Sequence, residues 1–219
     1  MKTGSRIIQA VIFDMDGVLT DSEPLICESA MAMFQELGLT VQAADFEPFV
    51  GTGENRYLGG VAEKYGLVID LMAAKRRTYE IYLRLVPPRL NAFPGAVELV
   101  KACRNEGLKT AVGSSADLIK VHANLVHIGL PPPGWSAVVT AEDVTRRKPH
   151  PDLFLKAAEL MRVDPGACVV IEDAPSGIRA ARAAGMRCVA VAQTFDSVSL
   201  AEADRIFTRI ADVRAADLS

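Results

Sequence analysis

The sequence Phe13-Asp14-Met15-Asp16-Gly17-Val18 follows an apolar run and holds two carboxylates separated by a single residue. The run, residues 7–13, is rich in β-branched and aromatic side chains, which predicts a strand buried on both faces. In an open α/β sheet, ligands bind beyond the carboxyl ends of the strands. Asp14 and Asp16 are therefore predicted to lie at the edge of the sheet where chemistry takes place. For this hexapeptide alone, a strand followed by a solvated acidic turn is the alternative.

Composition limits the classes of protein to which this chain can belong. It has 219 residues, of which 50% are hydrophobic, so it can bury the core of one folded domain with an insertion or of two modest domains. Its net charge of -3 provides no basic surface for nucleic acid. Because no apolar run is long enough to cross a bilayer, we expect a soluble, cytoplasmic protein with neither a nucleic-acid nor a membrane partner.

A helical segment separates the acidic pair from the rest of the chain. Apolar residues recur at helical spacing over residues 25–37, and residues 55–65 and 71–86 have the pattern of amphipathic helices. Pro87-Pro88 is predicted to end the last of these helices. Residues 22–87 are therefore predicted to be an all-helical insertion.

After this insertion the chain alternates between short apolar runs and amphipathic segments, as repeated strand–helix–strand units do. The apolar runs predict strands at residues 108–112, 137–140, 168–171 and 186–192. Connections between parallel strands are right-handed, so these strands are expected to join the first one in a doubly wound parallel α/β sheet. The core is thus predicted to comprise residues 1–21 and 88–219.

Four polar groups lie at the ends of the predicted strands or in the loops that leave them. They are Asp14 with Asp16, Ser114 with Ser115, Lys148, and Glu172 with Asp173. Because the carboxyl ends of parallel strands meet at one edge of a sheet, all four groups are expected to come together. Their joint occurrence in this order is more informative than any one of them.

Each group also has an interpretation that involves no chemistry. Ser114 is typical of a helix N-cap, and Lys148 of a solvated loop. Glu172-Asp173 suits the acidic first turn of a helix, where negative charge complements the helix dipole. His150, close to Lys148 in the sequence, is assigned no role.

Gathered at one site, the same groups predict phosphoryl chemistry. Carboxylates repel each other unless a cation lies between them, and Mg²⁺ commonly binds one or two carboxylates together with a phosphate. Asp14 or Asp16 could then attack phosphorus as a nucleophile, while the other carboxylate transfers protons. Ser114 with its neighbour Ser115, and Lys148, would stabilise charge on the phosphoryl oxygens.

These residues resemble the four motifs of the haloacid dehalogenase superfamily. The matching stretches are Asp14-Met15-Asp16-Gly17-Val18-Leu19-x-Asp21-Ser22-Glu23, Ser114, Lys148-Pro149-x-Pro151-Asp152 and Ile171-Glu172-Asp173-x-x-x-Gly177-Ile178. Together they span most of the chain, in the order in which that superfamily carries them. The helical insertion resembles the small cap domain of the β-phosphoglucomutase and phosphoglycolate phosphatase branch.

The resemblance implies a Rossmann-like core, an inserted helical cap domain and dependence on Mg²⁺. It implies that Asp14 is the nucleophile that forms an aspartyl-phosphate and that Asp16 is the general acid and base. It further implies that Ser114 and Lys148 bind phosphate. The implied metal ligands are Asp14, the Asp16 carbonyl, Asp173 and Glu172.

Two further stretches are similar to the phosphatase-like domain of plant chloroplast quenching-suppressor proteins. They are Phe49-Val50-Gly51-Thr52-Gly53-Glu54 and the segment from Gly113-Ser114-Ser115-Ala116-Asp117 to Asn124-Leu125. This similarity implies no particular substrate.

Three positions depart from the pattern of the resembled branch. The chain has Ile26 where β-phosphoglucomutases carry a His, and Glu54 where they carry an Arg in the cap loop. Both differences argue against mutase activity. Arg147 stands where many relatives have Gly before the motif Lys, and no effect is predicted for it.

The sequence therefore predicts a magnesium-dependent phosphatase for a small phosphorylated metabolite, with the cap closing over the site to exclude water. Glu54, Asn55 and Arg56 are candidates for contacting the substrate, or else form a solvated helix start. A sugar phosphomutase and a receiver-like signalling module phosphorylated on Asp are the alternatives. We expect a monomer or a weak dimer.

Overall fold

Six parallel strands form the centre of the protein in a computed structural model that describes residues 7–218. They are β1 (Ala10–Phe13), β2 (Lys109–Gly113), β3 (Ala137–Val139), β4 (Cys168–Glu172), β5 (Arg187–Val191) and β6 (Arg205–Phe207). Over these described residues the strands form one sheet in the order β3-β2-β1-β4-β5-β6. The prediction of a doubly wound parallel α/β sheet is thus confirmed, with β1, the strand before the acidic pair, near its middle.

Helices cover the sheet or lie in the insertion. They are α1 (Glu23–Glu36), α2 (Glu54–Lys64), α3 (Leu71–Arg89), α4 (Ala96–Asn105), α5 (Leu118–His127), α6 (Asp152–Met161) and α7 (Pro175–Ala183). None of the helices in residues 7–218 is long and apolar enough to span a membrane.

Alternate residues of β1 belong to two hydrophobic clusters, one on each face of the sheet. Val11 and Phe13 belong to the cluster formed with α4 and α5, whereas Ala10 and Ile12 belong to the one formed with α6 and α7. All four side chains are fully buried. This is the pattern of a strand in a parallel sheet that is covered on both faces.

Helices α1, α2 and α3 share a third hydrophobic cluster, separate from the two beside the sheet. Inside it the Phe46 ring contacts the rings of Phe34 and Tyr57. The chain enters and leaves this region through adjacent segments, because the Asp21 N–H donates to Asn91 O at 3.1 Å. The insertion therefore has its own core and is joined to the sheet by two paired connections.

Helix α3 ends later than its sequence predicts. Pro87-Pro88 is predicted to end it, but the helix continues through both prolines to Arg89, and the Leu90 N–H donates to Val86 O at 3.0 Å. A proline removes its own N–H from the helix, yet its φ of about −65° is a helical value. Two prolines can therefore occupy the final turn, and the prediction is wrong at this end of the helix.

Candidate active site

Three carboxylates meet where the central strands end. Asp14 directly follows β1, Glu172 is the last residue of β4, and Asp173 follows it. All three are buried, and each offers an oxygen within 4.8 Å of the others. Strands β1 and β4 are hydrogen-bonded neighbours with Phe13 opposite Ile171. The register of this pair therefore brings Asp14 to Glu172.

Lys148 is the cation of this cluster. From the loop between β3 and α6, its Nζ donates to Asp14 Oδ1 at 2.5 Å and to Glu172 Oε1 at 2.6 Å. It also donates to Gly113 O, at the end of β2, at 3.2 Å. The ammonium lies 4.9 Å from the centre of the Phe154 ring, a cation–π distance. Lys148 thus connects the ends of three strands.

Burial changes the proton affinity of the carboxylates. It raises the pKa of Asp14 to about 7, a shift that Lys148 opposes and Glu172 increases. Burial, together with the neighbouring carboxylates, also raises the pKa of Asp173 well above its usual range. A bound cation would stabilise the ionised forms that this environment disfavours.

The donor set fits a divalent cation. When all three carboxylates are ionised they carry three negative charges and Lys148 carries one positive charge, so two negative charges are left for a cation to balance. All the donors are oxygens, which Mg²⁺ prefers. Within residues 7–218 this is the one group of His, Cys, Asp and Glu side chains close enough together to hold a metal ion. Asp14, Glu172 and Asp173 are the residues that would hold Mg²⁺, and the contact from the Asp16 carbonyl stays a prediction.

Two glycines leave room for the carboxylates. A Cβ on Gly17 would lie 1.9 Å from Asp173 Oδ2, and one on Gly177, in α7, would lie 1.7 Å from Glu172 Oε1. Gly17 also has a φ of +84°, which residues with a Cβ rarely adopt. The space that the carboxylates occupy explains why the sequence motifs contain these glycines.

Asp16 faces a second cation, Lys120 in α5. One oxygen of the Asp16 carboxylate accepts a hydrogen bond from Ser22 Oγ, and the other lies 3.0 Å from Lys120 Nζ. Lys120 is 3% exposed, and its Nζ lies 3.9 Å from Glu54 Oε1 of α2. A buried ammonium therefore links the predicted acid–base residue to the first turn of an insertion helix.

Lys120 is absent from the site residues predicted from sequence. It lies on the buried face of α5 with Val121, Asn124 and Leu125. Asn124 Oδ1 accepts a hydrogen bond from Tyr82 OH of α3 at 2.7 Å, so this face of α5 also contacts the insertion. A lysine and an asparagine one turn apart on the apolar face of an amphipathic helix are the signal that could have identified them.

The two predicted phosphate-binding serines differ in their surroundings. Ser114 is buried, and its Oγ accepts a hydrogen bond from the Ala116 N–H at 3.1 Å. Ser115 lines the cavity described below, and its Oγ is buried without a hydrogen-bond partner. The Ser115 hydroxyl therefore has no hydrogen-bond partner within the described residues, and phosphate binding by either serine stays a prediction.

The three predicted cap contacts also lie in different surroundings. Glu54 is buried and lines the cavity, whereas Asn55 and Arg56 are exposed and outside its lining. Arg56 pairs with Glu63 at 2.6 Å and lies over the Phe49 ring. Contact of Asn55 or Arg56 with a substrate stays a prediction.

A cavity of about 470 Å³ separates the carboxylate cluster from α2. Its walls include Asp14 and Glu172 on the sheet side, and Glu54 and Tyr57 on the insertion side. This volume is typical of a site for a small molecule. The cavity therefore lies between the carboxylate cluster and the helices of residues 22–87.

Comparisons with known proteins identify the family of this chain. A family model described as haloacid dehalogenase-like hydrolase matches residues 8–185. The chain is 50% identical over 199 residues to the protein SUPPRESSOR OF QUENCHING 1, chloroplastic, of Arabidopsis thaliana. That match covers 90% of this chain and 19% of the relative, so the chain spans about a fifth of the relative's length.

Two other similar proteins are matched over most of their length. The fructose-1-phosphate phosphatase YqaB of Escherichia coli is 34% identical over 181 residues, covering 83% of this chain and 95% of the relative. The crystal structure of a HAD family hydrolase from Deinococcus radiodurans, with bound phosphate and sodium, is 30% identical with a TM-score of 0.72. It covers 96% of this chain and 95% of that one. The chain belongs to the haloacid dehalogenase-like hydrolase family.

Proposed function

We propose that this protein is a Mg²⁺-dependent phosphatase that hydrolyses a small phosphorylated metabolite. The observation that carries the proposal is the buried cluster of Asp14, Glu172 and Asp173 around Lys148, at the wall of the cavity. The similarity to a fructose-1-phosphate phosphatase supports both the reaction and the size of the substrate.

We also propose that residues 22–87 form a cap over a core of residues 1–21 and 88–219. The separate hydrophobic cluster of α1, α2 and α3 supports this division, as do the paired connections at Asp21 and Asn91. The cavity lined by both parts would then exclude bulk water during the reaction.

In the proposed reaction Asp14 attacks the phosphorus atom and the bond from phosphorus to the leaving oxygen breaks. Asp16 donates a proton to that oxygen as it leaves. Water then attacks the phosphorus of the aspartyl-phosphate, Asp16 accepts the proton, and inorganic phosphate is released. Lys148 and the hydroxyl of Ser115 would bind phosphoryl oxygens. Mg²⁺ held by the carboxylates would supply further positive charge for those oxygens.

Hydrolysis of p-nitrophenyl phosphate in the presence of Mg²⁺ tests the proposal. We expect Asp14→Asn to lower kcat by about 10³-fold or more, because it removes the nucleophile. Asp212→Asn is the matched control, since Asp212 is exposed and pairs with Arg209 away from the cavity. It should retain activity within about twofold of wild type. Wild-type turnover that persists in Asp14→Asn would refute the assignment of the nucleophile.

Two further measurements separate the alternatives: the products formed from a hexose phosphate, and the amount of phosphoprotein that accumulates. A sugar phosphomutase would isomerise a hexose phosphate without releasing inorganic phosphate. A receiver-like module would accumulate a stable, stoichiometric phosphoprotein instead of turning over. Ile26 and Glu54 both line the cavity and differ from the His and Arg of β-phosphoglucomutases, which favours hydrolysis.

A cytoplasmic location and a monomeric or weakly dimeric state stay predictions. One relative is a chloroplast protein.

A further inference from the structure

The loop that follows β5 contributes two polar side chains to the wall of the cavity. They are Gln193 and Thr194, which belong to none of the four sequence motifs. Strand β5 is the hydrogen-bonded neighbour of β4, the strand that ends at Glu172. The loop therefore begins beside the candidate metal site, and it offers that site neutral hydrogen-bonding groups instead of a further charge.

The Gln193 amide joins two separate backbone segments. Its Nε2 donates to Gly17 O at 2.8 Å, and its Oε1 accepts a hydrogen bond from the Ile210 N–H at 2.7 Å. A backbone carbonyl can only accept and a backbone N–H can only donate, so these two partners fix the orientation of the amide. Ile210 is fully buried. Gln193 thus ties the turn at Gly17 to a buried residue of the core.

Both backbone polar groups of Gly17 are held in this arrangement. Its N–H donates to Thr20 O at 3.0 Å, and its carbonyl accepts from Gln193. The N–H belongs to the same planar peptide unit as the Asp16 carbonyl, which is the metal ligand predicted for this turn. A glycine has wide conformational freedom, so a turn centred on one needs such restraints. The two hydrogen bonds therefore limit the directions in which the Asp16 carbonyl can point.

Thr194 contacts one of the three clustered carboxylates. Its hydroxyl donates a hydrogen bond to Asp173. The Cβ position of Gly17 lies 2.6 Å from Thr194 Oγ1 and 1.9 Å from Asp173 Oδ2, so the three residues meet at one point. Asp173 is buried, whereas Thr194 is exposed. Thr194 therefore restrains a buried carboxylate although it contributes little to the core itself.

We propose that Gln193 and Thr194 are positioning residues for the divalent cation. Gln193 restrains the turn that carries the Asp16 carbonyl. Thr194 restrains the Asp173 carboxylate. This inference rests on the Mg²⁺-dependent phosphatase function proposed above. Neither residue needs to touch the metal, because hydrogen bonds to the ligands orient them before the ion binds. Mg²⁺ requires nearly ideal octahedral geometry, so it binds less tightly to ligands that are free to move.

Calorimetric titration of the intact, substrate-free protein with Mg²⁺ tests the proposal. Gln193→Met removes both amide hydrogen bonds at nearly constant length, and Thr194→Val removes the hydroxyl at nearly constant shape. We expect each variant to raise the Kd for Mg²⁺ about tenfold, since losing a hydrogen bond to a metal ligand commonly lowers affinity by about 10- to 100-fold. Thr194→Ser keeps the hydroxyl, so its Kd should stay within about threefold of wild type.

Two matched variants control for the change of residue type. Thr208→Val alters an exposed threonine that directly follows β6 and lies outside the cavity lining. Gln35→Met alters an exposed glutamine of α1, which accepts a hydrogen bond from Thr40 Oγ1 at 3.1 Å. Both variants should keep the Kd for Mg²⁺ within about twofold of wild type.

Thermal unfolding without Mg²⁺ separates positioning from a purely structural role. Gln193 also bonds Ile210, so we expect Gln193→Met to lower the Tm of the metal-free protein. A lower Tm with a wild-type Kd would show that Gln193 only supports the fold, which overturns its assigned role. Thr194→Val should leave the Tm of the metal-free protein unchanged. If its Kd is also unchanged, the role of Thr194 is overturned.

Hydrolysis of p-nitrophenyl phosphate keeps this inference apart from the proposed function. Gln193→Met and Thr194→Val should be less active than wild type at limiting Mg²⁺. Saturating Mg²⁺ should restore kcat to within about threefold, because neither residue takes part in the proposed reaction. If wild type binds Mg²⁺ but leaves the ester intact, the phosphatase function fails, and the Kd values still decide the positioning roles. If wild type binds no Mg²⁺, the positioning roles are overturned.

Discussion

Gly177→Ala should displace Glu172, a carboxylate of the candidate metal site, from a position five residues away. The new Cβ would lie 1.7 Å from Glu172 Oε1, whereas real Cβ atoms stay at least 3.0 Å from such neighbours. The oxygen must therefore move by about 1.3 Å, the difference between these distances. It now accepts a 2.6 Å hydrogen bond from Lys148, and Oε2 accepts bonds of 2.9 and 3.0 Å from the N–H groups of Asp173 and Ala174. A movement of this size breaks that arrangement.

The expected result is a loss of activity that is linked to the metal. Misplacement by about 1 Å in an active site can lower the rate about 10²-fold, so we expect kcat/KM for p-nitrophenyl phosphate to fall by about that factor. The Mg²⁺ concentration for half-maximal activity should rise about tenfold or more, because Glu172 would no longer be aligned with Asp14.

Gly59→Ala is the matched control for this substitution. Gly59 also lies in a helix, α2, but nothing lies within 4 Å of its Cβ position. Alanine favours a helix over glycine by about 1 kcal/mol, so this variant should be slightly more stable and fully active. The reasoning is refuted if Gly177→Ala keeps both kcat/KM and the Mg²⁺ requirement within about threefold of wild type.

Three further substitutions test the charges and hydrogen bonds. Lys148→Met leaves two buried carboxylates without their cation, so the free energy of unfolding of the metal-free protein, measured in urea, should fall by about 3–5 kcal/mol. Added Mg²⁺ should raise the Tm of this variant more than it raises the Tm of wild type. Tyr82→Phe removes the bond to Asn124 and leaves a buried oxygen unpaired, which should cost about 1–3 kcal/mol in urea without changing the Mg²⁺ requirement. Hydrogen bonds to Asp45, of which the one from Lys64 has the largest effect, lower the pKa of this residue from 3.8 to about 2. Because the pKa of Asp45 is lower in the folded protein than in the unfolded one, this stabilisation is present above about pH 4 and is lost as the pH falls towards 2. The urea midpoints of wild type and Asp45→Asn should therefore converge over that range. A difference between the midpoints that stays constant would contradict the prediction.

The main elements of the fold could be predicted because their sequence patterns are local. Strands β1 and β4 are continuous apolar runs that end at acidic residues, and the helices of the core follow amphipathic periodicity. The sequence does not predict strand β6, because this strand has three residues, none of them buried, and so carries no apolar pattern. The two prolines predict too early an end for α3, since a proline removes its own hydrogen bond but is compatible with a helical φ.

The candidate site also contains some contacts that the sequence predicts and others that it does not. The motif residues Asp14, Lys148 and Glu172 could be predicted to converge because parallel strands bring their carboxyl ends to one edge. The position of Lys120 on the apolar face of α5 is visible in the sequence, but its partners are not, because Asp16 lies after β1 and Glu54 lies on α2.

By itself the sequence determined the order of strands and helices as far as β5, the acidic strand ends and the family of the protein, because each depends on residue types at short spacings. The tertiary structure alone decided that Lys120 joins Asp16 to Glu54, and that one oxygen of Glu54 is buried without a donor. The physical reason is that these contacts depend on how the insertion packs against the core. That packing is set by the burial of side chains from distant elements, which no local pattern records.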